Sequence, residues 1–460
     1  MSTRSHSVVS PIAEELRDTT DQVAREVVRL AQSTLPENVI HEARRCLVNV
    51  IGTSIGASRH PGIDAMVRAG FRLGASGDVP LPGRSEKFGP LWAATVIGTQ
   101  AHLDDFDDTH LATVIHPGAV TLASLWTLAG RSESTTSELV AAALGVEVQL
   151  RVGLAMTPEH YDAGWHITGT CGVLGAAVNS ALRLGMNAED LAASLGAAAS
   201  MTVGVRESFG TMAKPYHAGK AASNGLFAAL LRTEHLSASL RVLEAPRGFF
   251  GVLNSGRWRP EELRQGWGTK WTILENSYKP YPCGVVTHPA IEAATRLHRP
   301  DRDVREIEEV RVVCNPLVTE LMGNLSPTTG LESRFSAVHL VAAALMDGQV
   351  GLQQVTDGRV NDPTLIALRD RVHLDVADDV GRGEAHVYVR TPSGTERSDV
   401  EHVIGSLERP LTDGQLDEKF RSLVEPVLGE LGADRLSSAA WSLGRGTSLR
   451  DVQVLARPAS

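Results

Sequence analysis

From about residue 18 to about residue 266, apolar positions recur at three- and four-residue spacing, the period that gathers them on one face of an α-helix. Segments 41–55, 136–156, 171–184, 187–199 and 218–231 carry this pattern, with Ala and Leu at most of the apolar positions. Asn187, followed by Glu189 and Asp190, predicts a helix start, an N-cap residue with acids in the first turn. Gly185 predicts the end of the preceding helix. After about Lys270 the period changes to two. Val310, Val312, Val372–Val376 and the stretch from His386 to Val389 alternate as half-buried strands do, and Pro392, Ser393 and Gly394 offer a turn. Residues 336–346 read as a short apolar helix between the strands, and 412–443 return to an amphipathic helical pattern.

These periods predict a mostly α protein. A large all-helical domain spans residues 1–269, a smaller α+β domain 270–405, and C-terminal helices in 406–460 return to the first domain. A chain of 460 residues is long enough for two or three domains. Aromatic residues make up only 5%, which favours helices packed closely through small side chains over an aromatic-lined cavity. The net charge of -10 argues against a nucleic-acid partner, because phosphate binding needs surplus Lys and Arg. A negative surface can still hold a local positive pocket for an anion. Cys46, Cys171, Cys283 and Cys314 lack C-x-x-C spacing, so reduced thiols are expected and no zinc or redox motif. The first thirty residues have no apolar core of a signal peptide, and no run of 18 apolar residues occurs. A cytoplasmic protein with no membrane span is the expectation.

Candidate chemistry sits in four blocks. The densest holds Asp104, Asp105, Asp107 and Asp108, flanked by His102, His110 and His116. On a helix Asp104 and Asp108 would share one face. Three readings compete: a solvated acidic helix end, a magnesium site of the DDxxD type used by isoprenoid synthases, and an acid-base site. In the last, Asp105 orients an imidazole and His116 moves a proton. No second acidic motif accompanies the DDxxD pattern, and the flanking histidines favour acid-base chemistry. The second block runs from Gly164 to Gly172. Thr168 and Thr170 before a helix suit a carboxylate at free N–H groups, and His166 beside them suits proton transfer near neutral pH. In the third, Lys214 precedes Pro215, which predicts an extended backbone just outside the following helix. The fourth places Lys279 between Tyr278 and Pro280 at the predicted domain boundary, either as a solvated residue of a stiff linker or as an anchor in an interdomain cleft.

Together the strings Asp105-Phe106-Asp107-Asp108-Thr109 with His116-Pro117, His166 to Gly172, Gly210 to Gly219, and Lys279 to Pro282 resemble the MmgE/PrpD family, whose activities include 2-methylcitrate dehydratase, cis-aconitate decarboxylase and iminodisuccinate epimerase. The resemblance runs over nearly the whole chain. It implies a helical domain with a smaller α+β lid, a homodimer, and a lyase or epimerase acting on a small carboxylate without metal or organic cofactor. It places Asp105, Thr109, His116, His166, Lys214 and Lys279 at the active site. His116 and His166 would move protons, Asp105 would orient an imidazole, and Lys214 and Lys279 would bind carboxylate and stabilise a carbanion-like state. Thr168 and His339 are further candidates for substrate binding. Two positions depart from the family pattern: Gly284, where relatives carry His or Arg, and His339, where a tyrosine is common. The departure at Gly284 suggests vacated volume and one missing cation. The alternatives of another class are the magnesium-dependent isoprenoid synthase and a non-catalytic scaffold.

Overall fold

A computed structural model describes residues 16–130 and 137–458. Residues 1–15 and Thr136, the latter the expected first residue of a helix, lie outside the described residues. The described residues are 57% helical and 10% strand, a mostly α fold with a smaller part that mixes helix and sheet. The larger body contains α1 (Thr19–Ala31), α2 (Glu37–Gly56), α3 (Pro61–Arg72), α4 (Pro90–Leu103), α5 (Pro117–Leu128), α6 (Glu138–Met156), α7 (Glu159–Asp162), α8 (Ile167–Arg183), α9 (Ala188–Ala199) and α10 (Ala213–Thr233). Strands β1 (Ser76–Pro80) and β2 (Lys87–Phe88) form an antiparallel pair between α3 and α4. All residues of α5 are buried, as is α4 from Ala93 to Leu103, so these two helices are covered around their whole circumference and form the centre of the bundle. Asn187 caps α9 by accepting from the Asp190 N–H at 3.0 Å, and Gly185 ends α8 with φ +71°.

The smaller body is built on a four-stranded sheet in the order β6-β5-β7-β8: β5 (Glu309–Cys314) pairs parallel with β6 (Val372–Val376) and antiparallel with β7 (Ala385–Thr391), which pairs with β8 (Gly394–Val400). Helices His288–Leu297 and Ala337–Asp347 cover it, and their apolar faces join the strand residues in a core of their own running from Cys283 to Val403. Helices Asp413–Leu428, Glu430–Trp441 and Leu449–Leu455 return to the helical body, where Phe420, Leu436 and Leu449 enter its core. The expected single helical pattern over 412–443 is broken at Gly429, whose φ of +75° ends one helix and starts the next.

A strand pair joins the two halves of the chain where the chemistry lies. β3 (Asp108–His110) pairs antiparallel with β4 (Asn276–Tyr278), with Thr109 opposite Ser277. Sequence distance of more than 160 residues is thereby closed, and the acidic block is brought beside Lys279. Among the described residues one helix, α6, is long and apolar enough to cross a membrane, with mean hydropathy 1.6; 89% of that window is buried inside the protein. Its Glu147 and Arg151 are paired at 2.6 Å and hold the backbone of residues 262–273, so α6 is the core helix of a bundle.

Helices α10 and α4 cross at glycines. A Cβ on Gly219 would lie 1.9 Å from the Thr95 carbonyl oxygen, and one on Gly98 would lie 2.6 Å from the Gly219 Cα. Backbone cannot yield as a side chain does, so Gly219→Ala is expected to force the helices apart and to cost about 1–3 kcal/mol. Chemical denaturation would measure this as a lower midpoint at unchanged slope; an unchanged midpoint would show that the crossing is loose.

Candidate active site

Helix α4 ends at Leu103, and the chain leaves it through Asp105 in the left-handed region at φ +49°, a conformation Asp tolerates better than most residues. The turn fans the four carboxylates in different directions. Asp104 pairs with Arg334 of the smaller body at 2.8 Å. Asp105 Oδ1 accepts from Lys214 Nζ at 2.8 Å and from Lys279 Nζ at 2.9 Å. Asp107 Oδ2 accepts from His102 Nδ1 at 2.9 Å, and its Oδ1 lies 3.3 Å from His116 Nδ1. Asp108 Oδ2 accepts from the Gly118 N–H and from Asn276 Nδ2. All four are buried. Asp104 and Asp108 therefore share no helix face and converge on no common point, which removes both the DDxxD reading and the solvated helix end.

Burial alone would raise the Asp105 carboxyl, but Lys214, Lys279 and the neighbouring imidazoles hold it well below the usual carboxylate range. Asp107 is likewise held down, against its burial, by His102 and His116. Burial lowers the Lys214 ammonium, partly offset by Asp105. Lys214 lies in the first turn of α10, not in extended chain before it. Pro215 follows within the same turn, where a missing N–H leaves no helical bond unmade. The Lys214 ammonium also faces the rings of Phe209 and Phe335, each 5.2 Å away.

Three imidazoles cluster beside these charges. The His102 ring centroid is 4.4 Å from that of His116 and 5.7 Å from that of His166. His116 Nδ1 lies 3.0 Å from the Asp108 carbonyl oxygen and 3.1 Å from Thr109 Oγ1. A carbonyl only accepts, so Nδ1 carries the proton and Nε2 presents a lone pair. The same logic makes His102 Nδ1 the donor to ionised Asp107. His166 Nδ1 is 3.0 Å from His217 Nδ1, so one of the two rings donates to the other. Burial keeps all four neutral: His102 and His217 are lowered to about 4, His166 well below its ordinary value, and His116 below it as well.

A cavity of about 700 Å³ opens onto this cluster, and Asp105, Thr109, His116, His166, Lys214, Lys279 and Gly284 all line it. Thr168 does not. Its hydroxyl accepts from the His116 N–H at 3.1 Å, inside the first turn of α8, so it fixes the histidine. Thr170 is bonded to His160 at 2.8 Å. His339 lies outside the lining, fully buried with Nε2 on the Gln354 carbonyl at 2.8 Å, because it faces the interior of the smaller body. Nor is there vacated volume at Gly284: a Cβ there would meet Met322 Sδ at 2.5 Å. His102, Asp107, His217 and Lys419 were given no role by sequence. The spacing of His102 and Asp107 within one block was the available signal for the first pair. His102, Asp105, Asp107 and His116 offer ligand atoms within 4.8 Å of one another, a spacing that suits a metal ion. Two lysine ammonium groups already occupy Asp105, and a cation added there would face both.

Family models for the MmgE/PrpD N-terminal domain and the MmgE/PrpD C-terminal domain match residues 21–261 and 281–444. The chain is 26% identical over 465 residues to the cis-aconitate decarboxylase-like protein oryM of Aspergillus oryzae, covering 95% of this chain and 96% of that one. It is 26% identical to the cis-aconitate decarboxylase of Homo sapiens over 90% and 89% of the two chains. To the 2-methylcitrate dehydratase of Cupriavidus necator it is 24% identical over 81% and 79%.

The buried titratable groups set an acid limit. His102, His160 and His217 are lowered to about 4 and His288 to about 3, all by burial, from 6.5. Below pH 6.5 the unfolded chain takes up protons that these rings refuse, so stability falls as pH drops toward their folded values. Glu42, raised to about 7, and Asp108, raised to about 6, act in the opposite sense, but four histidines outweigh two carboxyls. Denaturant melts from pH 7 to pH 4.5 are expected to lose several kcal/mol, on the order of 1.4 kcal/mol per pH unit for each histidine. Stability that holds level across this range would show the histidines to be solvated.

Proposed function

The chain belongs to the MmgE/PrpD family and is an enzyme of the lyase type, and from that premise we propose that it eliminates water or carbon dioxide from a small carboxylic acid by acid-base catalysis. The observation that carries the mechanism is the pairing of two ammonium groups on Asp105 beside an imidazole whose Nε2 lone pair faces the cavity. Lys214 and Lys279 bind one substrate carboxylate with the donors that Asp105 leaves free. Charge that builds on that carboxylate, as the adjacent carbon loses a proton or carbon dioxide, is met by cations already held in place. For the dehydration, His116 Nε2 takes the proton from carbon. His166, when His217 donates to its Nδ1, carries a proton on Nε2 and delivers it to the leaving hydroxyl. For the decarboxylation, the same His166 proton goes to the carbanion.

The reaction as proposed needs no metal, because the lysines supply the positive charge that a Lewis acid would. Epimerisation is the second reading: two imidazoles on one cavity can remove and return a proton at the same carbon, and only product analysis separates the two. The charge balance also bears on the substrate. Lys214 and Lys279 share Asp105, and Asp107 stands behind them, so the inner end holds little net positive charge. The outer walls carry Val114, Val285, Leu317 and Leu321, and among their charged residues Glu320, Glu384 and Glu401 outnumber Arg382. An acid with one or two carboxylates and an apolar substituent fits this arrangement better than a tricarboxylate does.

Turnover should survive EDTA treatment. His116→Ala and His166→Ala should each lower kcat by on the order of 10²–10⁴ with KM changed little, the usual worth of a positioned acid or base. Steady-state assays on dicarboxylates, cis-aconitate and 2-methylcitrate check this, with both tricarboxylates expected to be poor substrates. Near-native turnover in both histidine variants would overturn the roles given to them.

A further inference from the structure

Lys419 lies on the C-terminal helix Asp413–Leu428, 140 residues beyond Lys279 in the chain. Its side chain is partly buried, and its ammonium lies beneath the site and outside the cavity lining. It donates to the Phe106 carbonyl at 2.6 Å, the Lys279 carbonyl at 2.9 Å and Asn49 Oδ1 of α2 at 2.8 Å, and it stands 4.0 Å from the centroid of the Phe106 ring. Three N–H bonds meet three acceptors, so the group is saturated. Phe106 is the residue between Asp105 and Asp107, and the second carbonyl belongs to Lys279 itself. One side chain from a third part of the chain thus ties together the two segments that must meet for the Asp105–Lys279 pair to form.

We propose that Lys419 is a positioning residue for the active site, clamping the 104–108 turn and the Lys279 segment at the separation that carboxylate binding needs. The inference rests on the reading of Asp105 and Lys279 as site residues, and it concerns how they are held. Other ties exist between these segments, namely the β3–β4 ladder and the bonds from Lys279 Nζ to Asp105. The ladder ends at Asp108 and Tyr278, however, and the Lys279 bonds are the ones a substrate carboxylate must share. Of these ties, Lys419 is the one that reaches backbone past the end of the ladder on both sides, at Phe106 and at Lys279, without facing the substrate.

The clamp depends on charge. A neutral amine keeps two N–H groups and turns a lone pair toward the third acceptor, so deprotonation breaks one bond of the three. The charged groups facing it are Asp107 and Asp108 of the turn, which favour the ammonium, and Lys279, which opposes it; α2 contributes the neutral Asn49. Burial dominates and lowers the group to about 7. The clamp is therefore complete at pH 6 and incomplete at pH 8.5.

Amide hydrogen exchange by mass spectrometry, corrected for the intrinsic pH dependence of exchange, tests this on the intact protein. In the wild type, peptides covering 103–110 and 276–284 should be protected at pH 6 and exchange several-fold faster at pH 8.5, while the 337–347 helix is unchanged. Lys419→Met and Lys419→Gln should exchange fast in both segments at both pH values. Calorimetry with succinate as probe should show roughly tenfold weaker binding in the variants at pH 6, the effect of about one lost charge-assisted bond. Protection in these segments that is equal in wild type and variants, or that ignores pH in the wild type, overturns the clamp. A succinate Kd within twofold of wild type overturns its link to binding. Should Lys419→Met fail to fold, Lys419→Gln and the wild-type pH comparison decide the matter. Succinate that does not bind the wild type counts against the carboxylate reading, and the exchange data still judge the clamp.

Discussion

One carboxylate oxygen accepting from two buried ammonium groups is the constraint on which the rest of the site depends. Bringing Lys214 and Lys279 together without Asp105 would set two like charges side by side in a medium of low dielectric, at a cost of several kcal/mol. Asp105 removes that repulsion and leaves each ammonium with donors to spare. The surrounding architecture serves to deliver these three groups to one point. The end of α4 and a left-handed residue aim Asp105, the first turn of α10 aims Lys214, and the β3–β4 ladder brings Lys279 across from the second half of the chain. The glycine contacts between α4 and α10 let the first two helices approach closely enough for the pair to form.

The histidines extend the same logic from charge to proton. A cluster of imidazoles next to two ammonium groups is pushed toward the neutral form by burial and by its neighbours. Neutral rings have one lone pair and one N–H each, and the protein fixes which is which. Asp107 holds the proton on His102 Nδ1, and the Asp108 carbonyl holds it on His116 Nδ1. The His166–His217 pair alone keeps a choice of tautomer, a property suited to a group that must give a proton and recover it.

The mostly α class, the helix starts at Asn187 and Ser336 and the strand of Val372–Val376 were legible because each rests on local periodicity or capping, which survives in a single sequence. Asp105, Thr109, His116, His166, Lys214 and Lys279 were legible through strings of residues, and all of them line one cavity. What escaped was set by tertiary contact. Asp104 and Asp108 share no face because the helix stops one residue before the block. Thr168 turns its hydroxyl to a histidine backbone, and His339 points into a different core. Gly284 leaves no space because Met322, 38 residues away, fills it. Lys419 carries no sequence signal at all: a lysine on an amphipathic helix reads as solvated until the fold buries its tip.

A crystal structure with succinate bound would locate the carboxylate. One carboxylate is expected within hydrogen-bond distance of both Lys214 Nζ and Lys279 Nζ, with the adjacent methylene facing His116 Nε2. A carboxylate seated away from the two lysines, or a metal ion held by His102, Asp105, Asp107 and His116, would contradict it.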